Sequence, residues 1–194
     1  MAVVVLDAGH GSQINGASAL GLREEDIVLS VAWKVARILD KTSRHIVALT
    51  RPFRRNLTTG SVARDLRLRA ELANKIKADR FVSIHCNVFN DPSVGGFEVW
   101  YHDGSEKGKA FAERVCKALA FALPNMRNRG VKNDKEQTKS GYQVLRQTSM
   151  PAILVELGFL SCPADAEILK VHKGQWEIAK ALASAITAEL NALS

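Results

Sequence analysis

Apolar positions along the chain follow two rhythms, short unbroken runs and longer stripes at helical spacing, and the two alternate from end to end. The first run, Val3 to Leu6, leads straight into Asp-Ala-Gly-His-Gly. It predicts a short buried strand over Val3–Gly11 whose C-terminal end presents His10 on a turn flanked by glycines. A loop over Ser12–Gly21 and a helix from Arg23 to Asp40 follow, with Val28, Val31, Ala32, Val35, Ile38 and Leu39 as its inward stripe. The acidic start of that helix, and Lys34 and Arg37 later in it, suit the helix dipole. HIVALTR (His45–Arg51) reads as a second strand, and Arg51 to Gly60 as a polar, basic loop.

The alternation continues. A helix over Val62–Lys77 turns Leu66, Ala70, Ala73 and Ile76 inward with Arg64, Arg67 and Arg69 beside them, and RFVSIH (Arg80–His85) is a strand that again ends in histidine. Gly95–His102 reads as a strand, and Ser105 or Glu106 to Leu123 as a helix stopped by Pro124. Asn125–Gly141 is turn-rich and basic and reads as a surface loop. Tyr142–Arg146 and Pro151–Phe159 are expected as strands, then Pro163–Lys170 and Gln175–Leu193 as helices. With no internal repeat or linker, the pattern predicts one α/β domain over residues 1–194, built on a mostly parallel central sheet with helices on both faces.

Composition narrows the partners. The 194 residues suffice for one domain with a sizeable core, and 46% hydrophobic with 24% charged residues is an ordinary globular balance. Twenty-seven Lys and Arg against twenty Asp and Glu give a formal +7, which favours an anionic partner. Nucleic acid is disfavoured, because aromatics are only 6% and no recognition motif appears. No apolar run is long enough for stable membrane insertion, and MAVVVLDAGH lacks the features of a signal peptide. Cys86, Cys116 and Cys162 are odd in number and scattered, so they read as buried free thiols.

The chemistry gathers at strand ends. His10, His85 and Glu156 each close an apolar run, and parallel neighbouring strands would bring them to one edge of the sheet. Two imidazoles and a carboxylate form a common zinc set with a fourth position for water, and a further carboxylate is then needed to move the water's proton. Glu24, Glu25 and Asp26 offer it. At about 100° per residue, Glu24 falls roughly 25° from the centre of the inward stripe and Glu25 roughly 75° away, while Asp26 points to the opposite side. An acid facing valines is costly unless it is paired or bound to a cation, which makes Glu24 a ligand candidate. Charge compensation at the helix start suffices for Glu25 and Asp26. His45, His102 and His172 read as surface or strand-edge residues.

These residues stand in LDAGHG, GLREEDIVLSVA, LRLRAELANKIKADRFVSIHCN, GGFEVWY, RNRGVK and YQVLRQTSMPAILVELGFLS, which together cover nearly the whole chain. In order and spacing they resemble the catalytic domain of zinc-dependent N-acetylmuramoyl-L-alanine amidases, the peptidoglycan hydrolases of bacteria and phage endolysins. The resemblance implies a single α/β domain with a twisted central sheet. It implies one Zn2+ held by His10, Glu24 and His85, which moves Glu156 from ligand candidate to catalytic glutamate. It further implies cleavage of the amide between the lactyl group of N-acetylmuramic acid and L-alanine of the stem peptide. Asn87 and Arg129 are expected to meet the muramyl-peptide substrate, and Asp7 either to orient His10 from behind or to stabilise its turn.

The chain departs from the family pattern in two places. Cys162 stands where asparagine often follows Phe-Leu-Ser, and Asn87–Gly95 is too short for the helix that blocks the groove in some cell-division amidases, so an open site is expected. No separate wall-binding module is visible. The expectation is a monomer made in the host cytoplasm and released to the wall if it is a phage endolysin, or acting in the periplasm or cell wall if it is an excised bacterial domain. The competing reading is a catalytically silent wall-binding domain of the same fold, for which a complete His/Glu/His set with Glu156 would have no use.

Overall fold

The computed structural model describes residues 1–12, 16–137 and 139–193. In chain order the elements are β1 (Val3–Ala8), β2 (Ser18–Ala19), β3 (Leu22–Arg23), α1 (Glu24–Thr42), β4 (Ile46–Leu49), α2 (Val62–Lys75), β5 (Arg80–Asn87), β6 (Phe97–Tyr101), α3 (Glu106–Ala122) and β7 (Asn128–Asn133). A 3-10 turn (Asp134–Glu136), α4 (Gln143–Gln147), β8 (Ala152–Phe159), α5 (Pro163–Lys170) and α6 (His172–Asn191) complete it. Six strands form one sheet in the order β4-β1-β5-β8-β6-β7. Every pairing in it is parallel except β6 with β8.

Strand periodicity divides the side chains into two layers. Val4, Leu6 and Ala8 of β1, Val82 and Ile84 of β5, and Ile153, Val155 and Leu157 of β8 bury against α1, α3 and α6. Val5, Phe81, Trp100 and Leu154 pack on the other face with Ala73 of α2 and Val144 and Leu145 of α4. The expected α/β sheet with both faces covered is therefore the observed architecture.

Four local expectations give way. Tyr142–Arg146 was expected as a strand, but Gln143–Gln147 is helical, with the Tyr142 carbonyl accepting from the amides of Leu145 and Arg146. A helical turn buries the adjacent Val144 and Leu145 together, whereas a strand would send them to opposite faces. Within Asn125–Gly141, expected as a loop, Asn128–Asn133 forms an edge strand that is polar because it is only half covered. Ile76, expected inward, is exposed because α2 ends at Lys75. The expected loop over residues 12–21 holds β2, whose hairpin with β3 leads into α1, and residues 13–15 lie outside the described part.

Two buried arginines hold the end of β1. The Arg51 Nε donates to the Ala8 carbonyl (2.7 Å), and its Nη2 donates to those of Gly9 (2.7 Å) and Glu25 (3.0 Å). The Arg69 Nη1 donates to Ala8 (2.7 Å) and its Nη2 to the His10 carbonyl (2.7 Å). Arg69 is in turn paired with Asp7 (2.8 Å) and Asp65 (2.6 Å), all three being buried. Asp7 also accepts from Thr50 (2.6 Å) and Ser83 (2.7 Å).

Burial raises the carboxyl of Asp7, yet Arg69, the two hydroxyls and nearby His85 outweigh it and hold the group below its ordinary 3.8. The unfolded chain therefore takes up this proton first. The stability contributed by Asp7 is complete above pH 3.8 and is lost as the pH falls through the lower folded value. Urea denaturation of the native chain should show its midpoint dropping as pH goes from about 5 toward about 3. Arg69→Met leaves Asp7 and Asp65 buried without their counter-ion and should cost about 3–5 kcal/mol at neutral pH. An unchanged midpoint in that variant would contradict the network's role.

Candidate active site

The site is one row across the α2 and α4 face of the sheet. His85 of β5 lies opposite Glu156 of β8, and Glu156 lies opposite Glu98 of β6. On the other side of His85 the row reaches Gly9, whose amide donates to the Ile84 carbonyl (3.0 Å). A Cβ at Gly9 would sit 2.3 Å from the His85 ring, so the absence of a side chain there makes room for the imidazole. His10, the next residue, has φ +56°, a left-handed conformation that histidine tolerates better than most residues. The Arg69 bond to its carbonyl fixes that turn.

Glu24, first residue of α1, is buried between the two imidazoles. Its Oε2 accepts the Ala17 amide (2.8 Å) and lies 3.3 Å from His10 Nε2. Its Oε1 accepts the Cys86 amide (3.0 Å) and lies 2.9 Å from His85 Nδ1. Burial raises its carboxyl, but hydrogen bonding and charge from His10 and His85 prevail and hold it well below the usual carboxylate range. The two rings meet edge to face with centroids 5.0 Å apart. One ligand atom from each of His10, Glu24 and His85 falls within 4.8 Å of the others, so the three can hold a metal ion. A Cβ at Gly16 would strike the Glu24 carboxylate and the His10 ring, so this approach too is kept bare.

Glu156 is buried beside them, and its Oε2 has no hydrogen-bond partner among the described residues. Burial, reinforced by the carboxylates of Glu24 and Glu98, pushes its carboxyl well above the ordinary range. Glu98 is the opposite case. Burial also raises its carboxyl, but Lys132 (2.6 Å) and Arg129 (2.7 Å) outweigh that and hold it ionised. Its other oxygen accepts from Asn87 (3.3 Å) and the Trp100 indole (3.2 Å).

The cleft above this row encloses about 520 Å³ and is walled by Val62 and Leu66 of α2, Val88, and Tyr142 and Gln143 at α4. Residues 88–96 hold no helix that could cover it. His10, Glu24, His85 and Glu156, each anticipated from the sequence, thus converge on one cleft. Asn87 lines it, while Arg129 sits on β7 with its guanidinium bound to Glu98 and stacked on Phe159 (4.9 Å). The side-chain partners of Asp7 are Thr50, Arg69 and Ser83, so its connection to His10 runs through Arg69 and the backbone, not the imidazole.

Charge compensation alone does not describe Glu25, which is buried, receives the Arg23 guanidinium and keeps one oxygen unpartnered. Of the remaining histidines, His172 is exposed and His102 follows the end of β6, as expected, but His45 does not lie at the surface. His45 is buried, accepting the Ala2 amide (3.2 Å) and meeting Asn191 (2.9 Å), and His102 is held by the buried Asp134 (2.9 Å). The three cysteines are free and buried, with Cys162 at the N-cap of α5 against Gly95. Sequence reasoning missed Arg51, Arg69, Glu98 and Lys132. Arg69 could have been found, because it falls within the inward stripe marked by Leu66, Ala70 and Ala73.

The chain is similar to an endolysin of Bacillus phage SPP1, with 37% identity over 191 residues that make up 97% of this chain and 66% of that protein. Among solved structures it is similar to the N-acetylmuramoyl-L-alanine amidase AmiC2 of Nostoc punctiforme, with 34% identity, a TM-score of 0.84, and 98% and 97% of the two chains covered. It is also similar to the catalytic domain of CwlV, an N-acetylmuramoyl-L-alanine amidase from Bacillus (Paenibacillus) polymyxa, with 33% identity, a TM-score of 0.86, and 98% and 99% covered. The chain spans between 32% and 66% of the length of the first curated relatives it matches. Residues 4–188 match the profile of one family, and with the fold and the site agreeing, the chain belongs to the N-acetylmuramoyl-L-alanine amidase family.

Proposed function

We propose that this chain is a zinc-dependent peptidoglycan hydrolase that cleaves the amide between the lactyl group of N-acetylmuramic acid and L-alanine of the stem peptide, and that residues 1–194 act as its catalytic domain. One observation carries the reading. A buried carboxylate, Glu24, is fixed between two imidazoles by two backbone amides, and beside it Glu156 keeps a buried oxygen without a partner. Two imidazoles and one carboxylate match the donor set of a catalytic zinc. Zinc held by His10, Glu24 and His85 would supply the Lewis acidity that activates water and polarises the amide carbonyl.

The protein's own groups do the rest. The high proton affinity of Glu156 suits it to accept the proton of the attacking water and deliver it to the departing alanine amine. Its register opposite His85 supports that role. Val62, Leu66 and Tyr142 offer an apolar wall to the muramyl peptide. Asn87 lies within the cleft, where it can meet the muramyl peptide, whereas the guanidinium of Arg129 is engaged by Glu98. No helix among the described residues is long and apolar enough to cross a membrane, and the likeness to a phage endolysin supports synthesis in a bacterial host followed by action on its wall. A silent wall-binding domain would have no use for an unpartnered buried acid.

Incubation with peptidoglycan should release new L-alanine amino termini, lost on chelation and restored by zinc. Free reducing sugar ends in their place would make the chain a glycosidase. Glu156→Gln should lower kcat by about a hundredfold or more while metal content and folding are retained. For the ligand set, Glu24→Gln should weaken zinc binding by more than the roughly 10–100-fold typical of an outer partner. Glu25→Gln should keep the metal, measured by competition with a chromophoric chelator, and the opposite ranking would refute the assignment.

A further inference from the structure

A second depression, of about 1070 Å³, lies between α1, the edge strand β4 and the start of α6, and shares no lining residue with the cleft. Lys34 lines it. This lysine sits in the middle of α1, where the helix dipole explains nothing, and it is only 6% exposed. Its Nζ donates to Ser30 Oγ (2.6 Å) and Gln175 Oε1 (2.9 Å) and lies 5.8 Å from the Trp176 ring centre. Both acceptors are neutral, and among the described residues no carboxylate oxygen comes within 4.0 Å of the ammonium. The acceptors are themselves fixed, because Ser30 donates to Gln175 (2.8 Å) and Gln175 donates to the Leu169 carbonyl (2.8 Å). Burial lowers the pKa of the lysine with nothing opposing it. A buried cation in a built socket without a counter-ion is costly, and an anion entering the groove would relieve that cost.

The walls specify what carries the anion. Trp33, one position before Lys34, is 48% exposed, and its Nε1 donates to the Pro52 carbonyl (3.0 Å), so the ring is held as a platform with its polar edge already used. Trp176 gives a second indole. Arg37 and Asp40, on the same side of α1 and without ion-pair partners among the described residues, offer further hydrogen bonds along the rim. Flat apolar platforms bordered by charged hydrogen-bonding groups suit pyranose rings, whose C–H faces are apolar and whose edges carry hydroxyls. The reaction proposed above leaves a glycan strand with a free lactyl carboxylate on each muramic acid it has stripped.

We propose that this groove binds the peptide-free, carboxylate-bearing glycan strand, with a lactyl carboxylate on Lys34 and sugar rings on Trp33 and Trp176. The choice of strand rests on the amidase reading, whereas the groove itself does not. Occupation would keep the enzyme on the strand it is stripping while the cleft, elsewhere on the molecule, takes the next stem peptide.

The test measures binding of the full chain to purified glycan strands freed of peptides, to the same strands with their carboxylates converted to neutral amides, and to a phosphate-bearing wall polymer. Native protein should prefer the carboxylated strand. Lys34→Met should weaken that binding about tenfold or more, as loss of a charge-assisted hydrogen bond does, and should abolish discrimination against amidated strands. Trp33→Ala, at an exposed position that the fold tolerates, should weaken binding to both kinds of strand. Equal affinities in all three proteins, equal binding of native and amidated strands, or binding of the phosphate polymer alone would overturn the proposal. Hydrolysis of a small soluble muramyl peptide is measured in parallel and should be unchanged in both variants. Selective strand binding without hydrolysis would count against the amidase reading and for the groove.

Discussion

The structure depends on how the chain leaves β1. Three successive carbonyls, of Ala8, Gly9 and His10, face the interior where no neighbouring strand can satisfy them, and His10 adopts a left-handed backbone conformation. Buried and unpartnered, these oxygens would cost several kcal/mol on the order of 1–3 each. Arg51 and Arg69 supply the missing donors. Their adjacency has its own cost, since burial and the charge of Arg69 bring Arg51 down to about 10. Asp7 and Asp65 offset it from behind. The network thus fixes the direction of the His10 ring through its backbone, and the site is shaped before any ligand reaches it.

The rest of the site follows from strand alternation on the same face. Asp7, Ser83, His85, Glu156 and Glu98 share the side of the sheet that α2 and α4 cover only in part. Towards the N-terminal ends of β1, β5 and β8, and the C-terminal end of the antiparallel β6, the same side is apolar, with Val5, Phe81, Leu154 and Trp100. A single face therefore changes from core to chemistry along the strand direction, and the carboxyl ends of the parallel strands are where the cleft opens.

Much of this was legible in the sequence, and the boundary of what was legible has a physical origin. The strands ending in His10, His85 and Glu156 announce themselves because each apolar run is uninterrupted until the polar residue appears. Glu24 was separable from Glu25 by helical angle because α1 has a clear stripe. The stripe did not anticipate that Glu25 is buried too, since its cover comes from the side chain of Arg23. β7 was hidden because an edge strand that supplies Arg129 and Lys132 to Glu98 has the composition of a loop. Five residues at α4 cannot distinguish the two periods, and Lys34 reads in the sequence as a complement to the helix dipole because Gln175, which encloses it, is far along the chain.

Glu98 and Glu156 give the row its chemical asymmetry. They are neighbours in register, on the same face, at comparable burial, yet their proton affinities are driven in opposite directions. The two cations and the Asn87 amide are all spent on Glu98, so its charge persists. That persistent charge, with the charge of Glu24 on the other side, is part of what resists ionisation of Glu156. Had Arg129 or Lys132 reached Glu156 instead, the same fold would hold an ionised carboxylate in the cleft with little tendency to take up a proton. Two acids side by side acquire separate roles only when their surroundings push their proton affinities apart. Here the separation is made by β7, the edge strand with the least visible signal in the sequence.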